Sequence, residues 1–414
     1  MSGAARFDRR VYLGSHPVLF AVLAATRRWP VLRLGSMVLA HSTEAYVAAL
    51  TRVPLDRTAE GTTGGAARAV SAGEVLFDQT GVEHRAARRA LAARLGTAGV
   101  EALRPVWRSV LERRLRGSVP APVEVVGLAA ELAGATAAAL LDVAADPLEL
   151  AGAARAAAAA TARAHLPGVR RPGTAGRARR AAAALTAVLA RGRPVDNRSG
   201  PSSRDENGLA AMVAVAAVNT TVAALPRAAA WCAKEGWWDR ALDPDPEVRL
   251  ALAAELLRLT APTPVLPRVA AGPGDVGGCP VRAGDRLLLV ARHAAGAHRR
   301  GAVSPQVASL VFGAGPHACP GAALARAQLA DALAALGACR PVVGRARVDR
   351  RSALPGWREL WLHPTTTTPA ALDAATSRTA GRTAAPLPAA GGTPRRDTQP
   401  GGTPRRDTQP GGAA

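Results

Sequence analysis

Between Phe312 and Arg326 the chain reads F-G-A-G-P-H-A-C-P-G-A-A-L-A-R: one cysteine, Cys319, in a loop of glycines and prolines that runs straight into an alanine- and leucine-rich helix. Few folds accept such a segment. Gly313, Gly315 and Gly321 permit backbone conformations and close approaches that a side chain blocks. A thiolate at a helix N-terminus is stabilised by unpaired N–H groups and by the helix dipole. Such a sulfur acts as a nucleophile, binds a metal, or is a buried structural thiol. A nucleophile requires a general base, and no base pattern stands out around Cys319. Phe312 offers a flat apolar wall, and His317 a donor two residues before the sulfur. The segment therefore suits a loop that lays a sulfur and several N–H groups under a large flat cofactor.

The segment resembles the cysteine-ligand loop of the cytochrome P-450 superfamily, the haem–thiolate monooxygenases, in their soluble bacterial form. Phe312, Gly313, Gly315, His317, Cys319, Gly321, Leu324, Ala325 and Arg326 fall on that family's motif positions. The resemblance implies that Cys319 is the axial thiolate of haem b iron, where donated electron density favours O–O cleavage. It covers about Val11 to Pro364, with the densest motifs in the second half.

Further segments join the resemblance. Leu209 to Leu225 is apolar almost all round, interrupted by Asn219, Thr220 and Thr221, as expected of a helix buried through the middle of a protein. Pro226 should kink this helix or end a segment of it. Ala216 to Thr221 matches the family's oxygen-activating segment, which implies that Thr220 arranges distal water. Asn219 stands where the family usually has Asp or Glu. An amide hydrogen-bonds water but does not take up and release protons at neutral pH. The alternative for Thr220 is a bond to a preceding carbonyl of its own helix.

Glu255 and Arg258 share a helix face at i, i+3, 35 residues after Thr220 and 61 before Cys319. They match the family's E-x-x-R, which implies a structural buried ion pair behind the haem. Arg268 matches the arginine that reaches a haem propionate, and a planar guanidinium fork suits a carboxylate. His84 and Arg88, on one face of another helix, match the family's H-x-x-x-R, and with His317 they are expected to address the propionates. Between Arg268 and Phe312 the family's Asn-Arg-Asp signal is missing. The third partner of the Glu255–Arg258 pair is thus open, with Arg299 and Arg300 as candidates.

Composition narrows the remaining choices. The chain has 414 residues, with only four Phe and two Tyr; a core of Ala, Leu and Val must pack helices closely. The net charge of +22 comes almost wholly from arginine, Lys234 being the one lysine. Those arginines are spread along the chain without a nucleic-acid reading motif, so no nucleic-acid partner is expected; part of the charge can steer an acidic electron donor. Cys232, Cys279, Cys319 and Cys339 show no zinc or disulfide spacing, consistent with a reduced, cytoplasmic protein. Pro17 to Ala25 is too short to span a bilayer and lacks signal-peptide features, so no membrane association is expected.

Strands are predicted at Val31–Leu34 and Met37–Ala40, and helices at about 82–96, 97–117, 126–143, 147–165 and 174–192. Gly/Pro/Arg-rich breaks fall at Leu166–Gly176 and Arg191–Gly208, and a closing strand signal at Leu354–Leu362. The expected architecture is mainly α with small β-sheets: a haem–thiolate catalytic domain over 1–364, then a disordered Thr/Pro/Gly/Arg tail over 365–414. In that tail Gly391–Pro400 is repeated unchanged at Gly401–Pro410, and such a tract cannot bury enough apolar surface to order itself. The expected function is monooxygenation of a small, mostly apolar molecule by a monomer, using O₂ and two electrons from a ferredoxin-type partner. Ala216–Thr221, Thr263–Leu266 and the Gly356 turn are expected to line the pocket. The alternatives are a coupling, dehydrogenating or peroxide-using enzyme, and a haem- or ligand-binding protein without turnover.

Overall fold

The fold is that of a computed structural model, which describes residues 2–71, 81–116, 121–165, 172–192, 204–299, 301 and 303–365. Met1–Thr366 contact one another as one compact unit. The repeat tail lies outside the described residues, as do 166–171 of the first Gly/Pro/Arg-rich break and 193–203 of the second.

The chain opens with helices α1 (Gly3–Ser15) and α2 (Pro17–Thr26), then strands β1 (Val31–Leu34) and β2 (Met37–Ala40). Helix α3 (Thr43–Thr51), the short strand β3 (Leu55–Asp56) and α4 (Thr63–Ser71) follow. The helical body comprises α5 (Gly81–Leu95), α6 (Thr97–Leu115), α7 (Val125–Leu141, preceded by β4 at Val123–Glu124), α8 (Pro147–His165), α9 (Thr174–Arg191) and α10 (Arg204–Glu235). After α11 (Trp238–Ala241) and α12 (Pro246–Thr260) come strands β5 (Leu266–Ala270), β6 (Gly274–Val276), β7 (Cys279–Val281) and β8 (Arg286–Leu289). Short helices α13 (Ala291–Ala294) and α14 (Pro305–Ala308) lead to the cysteine loop, α15 (Ala322–Gly337) and a closing hairpin of β9 (Val342–Asp349) and β10 (Gly356–His363).

The expected class, mainly α with small sheets, is what the chain adopts. The two early strands have the predicted bounds, and the five expected helices match to within two residues. One sheet runs β1-β2-β8-β5-β3, with β2 and β8 parallel and the other pairs antiparallel. A second runs β4-β10-β9, and β6 pairs with β7.

The main core lies among α6, α7, α8, α10, α12 and α15, and is mostly alanine, leucine and valine. Small residues let backbones approach. A Cβ on Gly134 of α7 would sit 1.9 Å from the Pro147 carbonyl that starts α8, so only glycine fits there. A second core lies under the five-stranded sheet.

Helix α10 is long and apolar enough to cross a membrane, but most of that stretch is buried inside the protein. Of the two outcomes expected at Pro226, a kink or an end, the end does not occur: α10 continues to Glu235. Proline removes one helical hydrogen bond. The next residue compensates, since Arg227 Nε and Nη2 donate to Asp8 Oδ1 and Oδ2 of α1 at 2.7 and 2.8 Å, fully buried.

Candidate active site

The cysteine loop is built from turns that glycine makes possible. Gly313 and Gly315 take φ of +83° and +71°, the left-handed region that residues with a Cβ seldom enter. The Cys319 N–H donates to Phe312 O at 2.7 Å, closing the loop just ahead of α15. The Cys319 side chain is accessible to solvent, yet protein surrounds it on most sides. That burial raises its thiol pKa above the ordinary value, against the lowering effects of the Gly321 N–H and the Arg88 charge. A cation placed against the sulfur would reverse the balance and hold the thiolate. Phe312 packs on the main core, with the Arg326 guanidinium 5.1 Å from its ring centre. His317 stands half-buried on a short 3-10 turn, Gly315–His317.

Three consecutive polar residues on α10 face different neighbours. Asn219 Nδ2 donates to Val215 O at 2.8 Å and to Ala154 O of α8 at 3.4 Å. With Arg155, Asp349 and Trp357 it lines a small recess that also takes in Gly356. Thr263–Leu266, expected beside these residues, do not line that recess. Thr220 Oγ1 donates to Ala216 O at 2.8 Å, the in-helix bond weighed as its alternative. Thr221 lies 3.5 Å from Gln328 Oε1 on α15, and Gln328 in turn donates to Thr136 Oγ1 on α7 at 2.8 Å.

Glu255 and Arg258 form a bidentate pair, Nε–Oε2 at 2.7 Å and Nη2–Oε1 at 2.6 Å. Among the described residues no arginine joins this pair; Arg258 Nη1 donates instead to Gly296 O at 2.6 Å. Arg299 makes no ion pair with Glu255 among the described residues, and Arg300 lies outside them. Arg268, on β5, donates to Thr63 Oγ1 and to Pro267 O, both at 2.8 Å, while its enclosed Nε has no partner. Arg88 sits on α5, where its charge acts on Cys319. His84 is on the same helix, but its side chain lies outside the described residues.

This arrangement of a long buried helix, a glycine-shaped cysteine loop and a small mixed sheet recurs in solved structures. P450BioI, in complex with a hexadec-9Z-enoic acid ligated acyl carrier protein, is 18% identical, covers 85% of this chain and 99% of its own, and superposes with a TM-score of 0.66. For epothilone B-bound cytochrome P450epoK the figures are 20%, 86%, 98% and 0.65. For ligand-free CYP164A2 of Mycobacterium smegmatis they are 20%, 88%, 100% and 0.64. The chain has the cytochrome P-450 fold. No protein-family model matches the sequence, and no curated protein matches it.

Within this P-450 fold, sequence reasoning missed two buried histidines, His41 and His293, and a half-buried third, His298, near the five-stranded sheet. His41 and His293 face each other through Nδ1 atoms 2.8 Å apart, and the His298 ring stands edge-on to His293 at 5.3 Å. Burial is the largest cause that lowers all three pKa values, to about 4 for His41 and His298 and about 2 for His293. His293 and His298 fall in the stretch that lacks the family's usual loop signal. That oddity marked the place without giving its partner, 252 positions away.

Proposed function

We propose that the chain is a haem–thiolate monooxygenase acting on a small, mostly apolar molecule. The observation that carries this reading is Cys319: an accessible sulfur, framed by glycines at the start of α15, within a P-450 fold. The residues present fit haem. Arg268 keeps an enclosed Nε without an acceptor, as a missing carboxylate would leave it. Cys319 would bind the iron, and Arg268, Arg88, His84 and His317 would take the propionates. Phe312 would wall the sulfur side. When bound, haem supplies the activation of O₂ with electrons delivered one at a time.

The protein's own groups then handle substrate, water and protons. Thr220 has committed its proton to Ala216 O, so its oxygen accepts from water but donates only by releasing that carbonyl. Asn219 has committed its Nδ2 to Val215 O, which leaves Oδ1 as an acceptor for a water or a substrate hydroxyl. The hexadec-9Z-enoic acid carried to P450BioI and the epothilone B bound by P450epoK support the small-molecule substrate class. Exposed Arg85 and Arg89 beside Arg88 on α5 support docking of an acidic ferredoxin-type donor by charge. Residues 1–364 would form the catalytic unit, working as a cytoplasmic monomer, with the tail taking no part in the chemistry.

The test is spectroscopic. Purified protein, reduced and treated with carbon monoxide, should show the strongly red-shifted Soret band of a thiolate ligand, and Cys319→His should lose it. A colourless wild-type preparation from haem-supplemented cells refutes the reading. A second reading, oxidative coupling or peroxide-driven turnover, is favoured by the amide at Asn219. Product formation with peroxide alone, at a rate matching the reductase-driven one, would support it.

A further inference from the structure

Strands β3 and β5 are antiparallel, with Leu55 opposite Ala270 and Asp56 opposite Val269. One further step in that register sets Arg57 opposite Arg268. Like charges facing each other across an antiparallel pair are destabilising, and neither arginine makes an ion pair among the described residues. The nearby Tyr46 hydroxyl does not help, because it donates to Leu310 O.

The position of Arg57 is fixed rather than incidental. Asp56 Oδ1 accepts from Thr58 N, Thr58 Oγ1 and Ala59 N at 2.9, 2.9 and 3.0 Å. The first turn of α4 lies on the Arg57 carbonyl so tightly that a Cβ on Gly64 would sit 1.9 Å from it. Thr63, next to Gly64, accepts the Arg268 hydrogen bond. The loop that holds Arg57 therefore also touches Arg268. Burial, then the Arg57 charge, lower the Arg268 pKa to about 10, and burial lowers that of Arg57. Arg268 has an enclosed Nε without a partner and Arg57 is half-buried on the loop that touches it, so an anion placed against both would satisfy the one and offset the charge of both.

We propose that Arg57 and Arg268 together hold one carboxylate. This rests on the haem reading for one of its two sources, a haem propionate; the other source is the carboxylate of an acidic substrate. Planar forks bind a carboxylate bidentately, which an ammonium does not reproduce.

The test compares the full-length holoprotein with Arg57→Gln and Arg57→Lys, the lysine variant serving alone should the glutamine one not fold. Haem loss is timed by transfer to apomyoglobin. Spin-state titrations compare laurate with methyl laurate. Faster haem loss by about tenfold in Arg57→Gln, partly restored in Arg57→Lys, with unchanged laurate preference, supports the propionate. Unchanged haem loss with a lost preference for laurate over its ester supports a substrate carboxylate. No change in either measurement overturns the proposal. Should the purified wild type carry no haem, that reading fails separately. The three proteins are then melted in sodium propionate and in sodium chloride at equal ionic strength. A propionate-specific rise in the wild type that Arg57→Gln lacks keeps the pair, and its absence from the wild type removes it.

Discussion

His41 and His293 meet through their Nδ1 atoms at 2.8 Å inside the protein, so one ring carries the shared proton and the other accepts it. Neither ring is charged in that arrangement. Their pKa values, about 4 and about 2, lie below the ordinary 6.5, because burial comes first and the neighbouring charges add to it: Arg27 for His41, and His298, Arg292 and Arg27 for His293. The unfolded chain therefore binds protons that the folded chain refuses. Stability is complete above pH 6.5 and falls as the pH drops toward 4, by about 3 kcal/mol for His41 alone. Urea midpoints at pH 7.5, 6 and 5 check this, and a flat profile removes the histidines from the acid response.

Arg258 is fully buried and holds both Glu255 and Gly296 O. Arg258→Ala strands a carboxylate and a carbonyl at once, at a cost of about 3–5 kcal/mol. Arg258→Met, which keeps the volume, costs less. Denaturant midpoints of the two variants give the order, and an unchanged midpoint in Arg258→Ala contradicts a supporting role for the pair.

Gly315 has φ of +71°, and a Cβ there would lie 3.0 Å from Thr51 Cγ2. Gly315→Ala meets backbone strain and a close contact together, worth roughly 1–3 kcal/mol. The variant is expected to melt lower and to retain less haem per chain; full haem content at wild-type stability would separate the loop's shape from cofactor binding.

Thr220→Val removes the hydroxyl while keeping the side chain's shape. Its bond to Ala216 O is internal to α10, so stability should change by no more than about 1 kcal/mol. If the oxygen also orders water, product formed per NADPH consumed should fall several-fold. Unaltered coupling would leave the hydroxyl with its in-helix bond as its sole role.

How much of this was readable beforehand follows chain distance. Cys319, Gly313 and Gly315 announce one local loop, and Glu255 with Arg258 one helical turn, so both were legible as patterns. Arg57 was not, because facing Arg268 depends on strand register across 211 positions. His41 and His293 stayed hidden for the same reason. Local propensity left open whether α10 bends or ends at Pro226; its continuation involves Asp8, which holds Arg227 from 219 positions away. Helices α1 and α2 were not read from the sequence, although Ser2 caps α1 by accepting from Ala5 N and Pro17 starts α2.

Helix α1 leans on residues far away along the chain, Ser15 and Asp349 being 334 positions apart. The Phe7 and Trp357 ring centres stand 4.7 Å apart, the Ser15 hydroxyl lies 3.4 Å from Asp349 O, and a Cβ on Gly14 would press on Val348 at 2.9 Å. Seating α1 therefore closes a loop of more than three hundred residues, an entropic cost that must be met before these contacts can form. A change that loosens the β9–β10 hairpin would accordingly release α1 with it.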